Sequence, residues 1–459
     1  MTVMASLPFL FILCTTLWRG PFPIREATGQ FEDIADRPAS AFLVPTLSYY
    51  RPLFHLSLWS VWHSASSIDG ALRAIKLFHV VPIMVLVLLF IWILRPRSAL
   101  DAAVATAAVA VLVGAPAFLG NLEPPLSYTI VGMPAALIVW MLLERDYRSW
   151  HGPAIVILTL VAIGFKEQGL AIVPLVVVAW WMGAPGTGRF TAAVVTVIAI
   201  AYVAFRLAHQ GGKGWPPFEQ DVGFLFSGLS STEATARFGA FPVWIYLYSA
   251  ASTVANVLLS EPTDGRFRIV LAVSEGRVQP WQIVHVVSSL ALTALIAWWG
   301  IGALKSRTAR TWSMEARLVV AVVVVLMVSG ALSFDYSRDR LGGMAIPFYA
   351  LAAFFAIRQA AERLSRQSAA VAAIGAVSLL LLAGAWQCRA LFTIEFTRQR
   401  TVNGQREWLT DLYRRRTDYA TRPVYLHVLD SMVDQGTDPA RVVHPTRYPS
   451  WMRDLLGEY

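Results

Sequence analysis

The chain has 459 residues, of which 56% are hydrophobic and only 15% charged, and it carries a formal net charge of +9. That balance excludes an ordinary soluble domain, in which about a quarter of residues are charged. It also argues against nucleic-acid binding, because no basic segment is interleaved with stacking aromatics.

Several uncharged runs reach about 17 residues or more, the length a helix needs to cross a bilayer. Spanning helices satisfy their backbone groups internally, and the alternation expected of a barrel strand is absent. The expected fold is therefore an all-α polytopic membrane protein. The 17 tryptophans suit interfacial belts. Cys14 and Cys388 stand at opposite ends of the chain, with neither a metal spacing nor a disulfide framework.

In chain order, Val3–Trp18 reads as an uncleaved first helix, since it lacks a basic leader region and a small-residue cleavage site. A polar loop follows from Arg19 to Tyr50, then an amphipathic stretch from Arg51 to Ser64. Apolar runs come next at Leu77–Leu94, Ala102–Leu119, Leu126–Leu143, Ser149–Phe165, Gln168–Ala184 and Phe190–Ala208. After a long polar segment from His209, further runs lie at Trp281–Leu304, Leu318–Phe334, Leu341–Ile357 and Ala369–Gln387. Residues 1–388 form the expected transmembrane domain, with extracytoplasmic loops at 19–64 and 209–280. Residues 389–459 form a small extracytoplasmic domain of helices with one short strand near Val424–Leu429.

The run Ala240–Ser260 is uncharged and long enough to span, so loop charge decides its treatment. Basic loops occur at Arg95/Arg97, Arg145/Arg148, Arg189, Lys305–Arg317 and Arg358–Arg366. All five share one side only if Ala240–Ser260 does not cross. The positive-inside rule thus predicts eleven spans, with that run interfacial or re-entrant and the N-terminus cytoplasmic. A twelve-span chain with a cytoplasmic tail is the rival.

In the eleven-span arrangement three charged groups converge on the extracytoplasmic face. The first is Glu32-Asp33-Ile34-Ala35-Asp36. Adjacent carboxylates hold a divalent cation, or one acts as a base while the other positions it; the plain alternative is a solvated loop. The second is Lys166-Glu167, in a turn of about two residues between two spans. It is either a self-neutralising anchor or a phosphate-binding lysine beside a structural or metal-linked glutamate. The third is Arg338-Asp339-Arg340, whose guanidinium groups suit an anionic ligand or a lipid headgroup. His55 and Trp59 share a helix face, where a packed histidine is commoner than a ligand.

Three segments resemble polytopic GT-C glycosyltransferases, the protein O-mannosyltransferases in particular. They are Tyr49-Tyr50-Arg51-Pro52-Leu53-Phe54-His55 with Lys76-Leu77-Phe78-His79, then Phe165-Lys166-Glu167-Gln168-Gly169-Leu170 leading to Pro174, and Arg338-Asp339-Arg340-Leu341 leading to Pro347. The resemblance covers roughly residues 1–390 in segment order. The chain departs from the family in its acidic motif, in a late turn without the Tyr-rich form, and in a tail without a tetratricopeptide period.

The resemblance implies transfer of a sugar from a polyprenyl-phosphate donor to a glycan, lipid or protein acceptor. It implies Asp33 and Glu32 as catalytic residues, with Mg or Mn as a candidate metal on them. Lys166, Arg338 and Arg340 would meet the donor phosphate, and Asp36, Arg51, His55 and Glu167 would support them. The expected location is a bacterial inner membrane with an outward-facing site. The alternatives are an O-antigen-type polymerase or ligase, which would lean on Lys213, Arg237, Arg266, Arg268 and Arg277 in the 209–280 loop, a flippase of lipid-linked sugars, and a non-catalytic scaffold.

Overall fold

A computed structural model describes residues 37–43, 50–119, 129–208, 243–259, 272–305, 312–334 and 339–414, with shorter pieces that include Leu13, Ile34, 221–222 and 226–227. Glu32, Asp33, Asp36, Arg338 and the expected strand near Val424–Leu429 lie outside the described residues.

The architecture is helical. The α-helices are α1 (Pro52–Ser64), α2 (Ile68–Leu94), α3 (Ala99–Gly114), α4 (Pro116–Leu119), α5 (Thr129–Leu143), α6 (His151–Phe165), α7 (Ile172–Trp181), α8 (Arg189–Ala208), α9 (Val243–Leu258), α10 (Pro280–Lys305), α11 (Met314–Ala331), α12 (Ile346–Leu364) and α13 (Ala369–Arg414). Among the described residues, the 3-10 helix Ala39–Leu43 precedes α1, and two more, Glu167–Ala171 and Asp339–Ala345, lead into α7 and α12. The described strands are a two-residue antiparallel pair, Asp221–Val222 with Phe226–Ser227.

Local chemistry sets several helix starts. Ser67, Ser98 and Ser313 each accept a hydrogen bond from the backbone N–H three residues on, at 3.1, 3.0 and 3.1 Å. This satisfies an N–H that the first turn leaves without an intrahelical partner. Pro52 opens α1, where its missing N–H costs nothing.

Among the described residues, six segments are long and apolar enough to cross a membrane: Arg73–Leu94, Arg189–Arg206, Pro280–Lys305, Met314–Ala331, Arg340–Leu364 and Ala369–Phe392. Shorter apolar helices, α3, α5, α6 and the segment Glu167–Trp181, pack among them. Their burial differs sharply. The window in Arg340–Leu364 is 89% buried, whereas that in Ala369–Phe392 is 6% buried, so α12 is central and α13 peripheral. Large apolar side chains on the outer helices point away from the protein, among them Phe190, Ile374 and Leu380. In water such a surface would drive association, whereas in a bilayer it meets acyl chains.

The bundle has two chemically different ends. At one, Arg317 Nε donates to Glu144 Oε1 at 2.8 Å, and Arg358 Nε lies 3.1 Å from Asp101 Oδ1. The guanidinium groups of Arg95 and Arg145 both sit over the Trp92 ring, at 5.3 and 5.0 Å. These contacts gather basic loops from four parts of the chain. The other end holds the Lys166 turn and the 3-10 helix Asp339–Ala345. Helix α6 carries Arg148 before its start and Lys166 after its end, and α12 carries Arg340 before its start and Arg358 near its end.

Candidate functional site

The site begins with a glycine. Lys166 is extended, with φ −160° and ψ 144°, so α6 stops at Phe165 and the chain re-enters as the 3-10 helix Glu167–Ala171. Gly169 folds back so closely that a Cβ there would lie 2.3 Å from the Ala162 carbonyl carbon and 2.5 Å from its oxygen. No side chain fits in that space. Gly169 N–H donates to the Lys166 carbonyl at 2.8 Å, and buried Thr129 Oγ1 donates to Gln168 Oε1 at 2.8 Å, fixing the turn to α5.

Arg51 grips this turn from a distant part of the chain. Its Nε donates to Glu167 Oε2 at 3.0 Å and its Nη2 to Oε1 at 2.8 Å. Both side chains are nearly buried, at 12% and 13% exposure. The planar fork of a guanidinium matches a carboxylate in this way and fixes orientation as well as distance. Arg51 is itself held, because His55 Nδ1 donates to its carbonyl at 2.9 Å and Phe42 stacks on the His55 ring with centroids 5.5 Å apart. His55 is thus a packed, hydrogen-bonded residue that positions Arg51.

Lys166 is buried at 4% exposure. Burial pushes its ammonium well below the usual lysine value, the Arg51 and Arg340 cations push it further, and Glu167 opposes them. Arg206, in the last turn of α8, also acts on Glu167 electrostatically. Beside it, Tyr202 OH donates to the Tyr50 carbonyl at 2.9 Å. Among the described residues, Arg51, Lys166 and Arg206 therefore act on the single carboxylate of Glu167, and Arg340 acts on Lys166 beside it. Such an excess of positive charge in a low-dielectric setting suits an anion.

Of the expected site residues, the fold brings together Lys166, Glu167, Arg51, His55 and Arg340. Arg206 and Tyr202 were missed. Both sit inside an apolar run, Phe190–Ala208, whose last turn falls at the same end as Lys166 once the hairpins are counted. An arginine at the end of a span on that face was the available signal.

The acidic loop has one described landmark. Ile34 is fully buried in a cluster with Phe42, Phe54, Leu58, Ile75 and Phe165. Phe165 immediately precedes Lys166, and Phe54 immediately precedes His55. Trp59 Nε1 donates to the Arg37 carbonyl at 3.1 Å, so a second point of the same segment is tied to α1. No cluster of three His, Cys, Asp or Glu side chains occurs among the described residues.

Comparisons with protein-family models, with curated proteins and with solved structures found no match.

Proposed function

We propose that this chain is an integral membrane glycosyltransferase of GT-C-like arrangement, moving a sugar from a polyprenyl-phosphate donor to a glycan, lipid or protein acceptor with inversion. The observation that carries the reading is the Lys166-Glu167 turn, gripped by Arg51 and acted on by Arg206 and Arg340, at the bundle end away from the basic loops. A lipid phosphate approaching from the bilayer meets its countercharge there.

In this reading the chain crosses a bacterial inner membrane eleven times. Its basic loops face the cytoplasm, and the site and the small C-terminal domain face outward. The gathering of Arg95, Arg145, Arg317 and Arg358 at one end favours the eleven-span count, with α9 as the run that does not cross.

Asp33 takes the proton from the acceptor hydroxyl as that oxygen forms a bond to the anomeric carbon. The bond from the anomeric carbon to the phosphate oxygen breaks, and its electron pair leaves with the polyprenyl phosphate. Lys166, Arg338 and Arg340, with Arg206, neutralise the departing phosphate. Arg51 and Glu167 hold the Lys166 turn. Glu32 positions Asp33 or shares a divalent cation with it.

The test uses membranes carrying wild type or Asp33→Asn, assayed for loss of sugar from a lipid-linked donor. The substitution is expected to cost on the order of 100-fold or more in turnover, as loss of a general base does. Unchanged turnover removes Asp33 from its role.

A further inference from the structure

Helix α9 carries polar groups that the proposed chemistry leaves unused. Ser249, Thr253 and Asn256 follow one another at spacings of four and three, so they share one helix face. Their exposures are 0%, 0% and 1%. Ser249 Oγ, Thr253 Oγ1 and both amide atoms of Asn256 have no hydrogen-bond partner among the described residues.

Other hydroxyls in the bundle behave differently. Thr106, Thr159, Thr196, Ser329 and Ser333 each donate to the carbonyl four residues back. Helical packing in this protein thus satisfies many hydroxyls locally, and it does not do so at Ser249 and Thr253. An asparagine amide offers two donors and an acceptor, and leaving all of them dry in a protein interior is costly. Packing alone would favour apolar residues at these positions.

The stripe adjoins the candidate site. A Cβ at Gly342 would fall 2.5 Å from Val257 Cγ2 and 3.5 Å from the Thr253 carbonyl oxygen, so α9 lies directly on the 3-10 helix Asp339–Ala345. Arg340 belongs to that same 3-10 helix.

We infer that Ser249, Thr253 and Asn256 form a subsite for an uncharged polyhydroxyl group, the sugar of a lipid-phosphate-linked donor. The inference rests on the glycosyltransferase reading and deepens it. Vicinal sugar hydroxyls both donate and accept, and they match an amide between two hydroxyls. The stripe bears no charge, so it does not compete with Arg340 and Lys166 for the phosphate.

The experiment uses full-length protein in lipid nanodiscs and compares binding of farnesyl phosphate with that of farnesyl-phosphate mannose, glucose and arabinose. Wild type is expected to prefer one sugar-bearing probe by about tenfold or more, since a site built for hydroxyls rejects a ligand that lacks them. Asn256→Leu and Thr253→Val should abolish that preference and leave farnesyl phosphate binding unchanged. Asn256→Leu should melt no lower than wild type, because it removes an unbonded amide. Arg340→Gln should weaken bare and sugar-bearing probes alike. A preference that survives both α9 variants overturns the inference, as does a wild type that prefers none of the sugars, or an Asn256→Leu protein that loses its fold. If wild type binds neither farnesyl phosphate nor any sugar-bearing probe, the glycosyltransferase reading itself falls and takes this subsite with it.

Discussion

Arg51 and Glu167, 116 positions apart in the chain, are joined by two parallel hydrogen bonds at the mouth of the candidate site. Removing the arginine leaves a nearly buried carboxylate without its fork. Arg51→Gln should cost about 1–3 kcal/mol of stability, a range discounted for the residual exposure of both side chains. The check is a melting curve beside that of the double variant Arg51→Met/Glu167→Met, which should recover part of the loss because neither charge is then stranded.

Gly169→Ala should be far more harmful than its size suggests. Its new methyl group would overlap the Ala162 backbone, which has no flexible end to move aside. A loss of roughly 2 kcal/mol or more is expected, with Lys166 displaced and donor binding reduced. Gly384→Ala is the control. A Cβ there meets nothing within 4 Å in the middle of α13, and the change should be neutral or stabilise by up to about 1 kcal/mol.

Anion binding should fall as pH rises. In the empty site burial and the neighbouring arginines lower the proton affinity of Lys166. A phosphate beside it raises that affinity, so the liganded protein holds more protons than the empty one across the window between the two values. Binding therefore takes up protons there, and affinity declines with increasing pH. Titrating farnesyl phosphate onto wild type and Lys166→Met at a series of pH values checks this. The variant should bind more weakly at the acidic end and show a shallower slope.

Arg206→Gln should weaken farnesyl phosphate by about 5- to 30-fold, the worth of one charge-assisted contact of about 1–2 kcal/mol. Glu144→Gln, at the opposite end of the bundle, breaks the pair with Arg317 and should lower the melting temperature without altering farnesyl phosphate affinity. Equal effects of the two variants on affinity would show that charge loss acts through general destabilisation.

Hydropathy made the bundle legible and its helix ends much less so. Apolar runs match α5 and α6 closely, because in those segments the apolar stretch and the helix end together, at Leu143 and Phe165. They diverge where termination is set by something other than polarity. The run from Leu77 extends back to Ile68 because the Ser67 hydroxyl caps the helix there. The run Ala102–Leu119 is interrupted at Ala115, before Pro116. The run from Gln168 begins as a 3-10 helix because Gly169 must fold against Ala162. Helix α13 passes position 388, where the sequence suggests a domain boundary, without a break. In the site, Lys166 and Arg340 stood out as charges in short turns between apolar runs. Arg206 did not, because a guanidinium at the end of a span counts as part of the apolar run when only composition is read. The Arg51–Glu167 pair joins segments so far apart that no local pattern announces it.

The uninterrupted course of α13 has a mechanical consequence. Its 46 residues rise about 69 Å, more than twice the roughly 30 Å depth of a hydrocarbon layer. A helix of that reach acts as a mast. It carries its far end at Arg414 well clear of the acyl chains, so a bulky partner meeting the chain there would stand off from the lipid surface, joined to the bundle by a stiff rod.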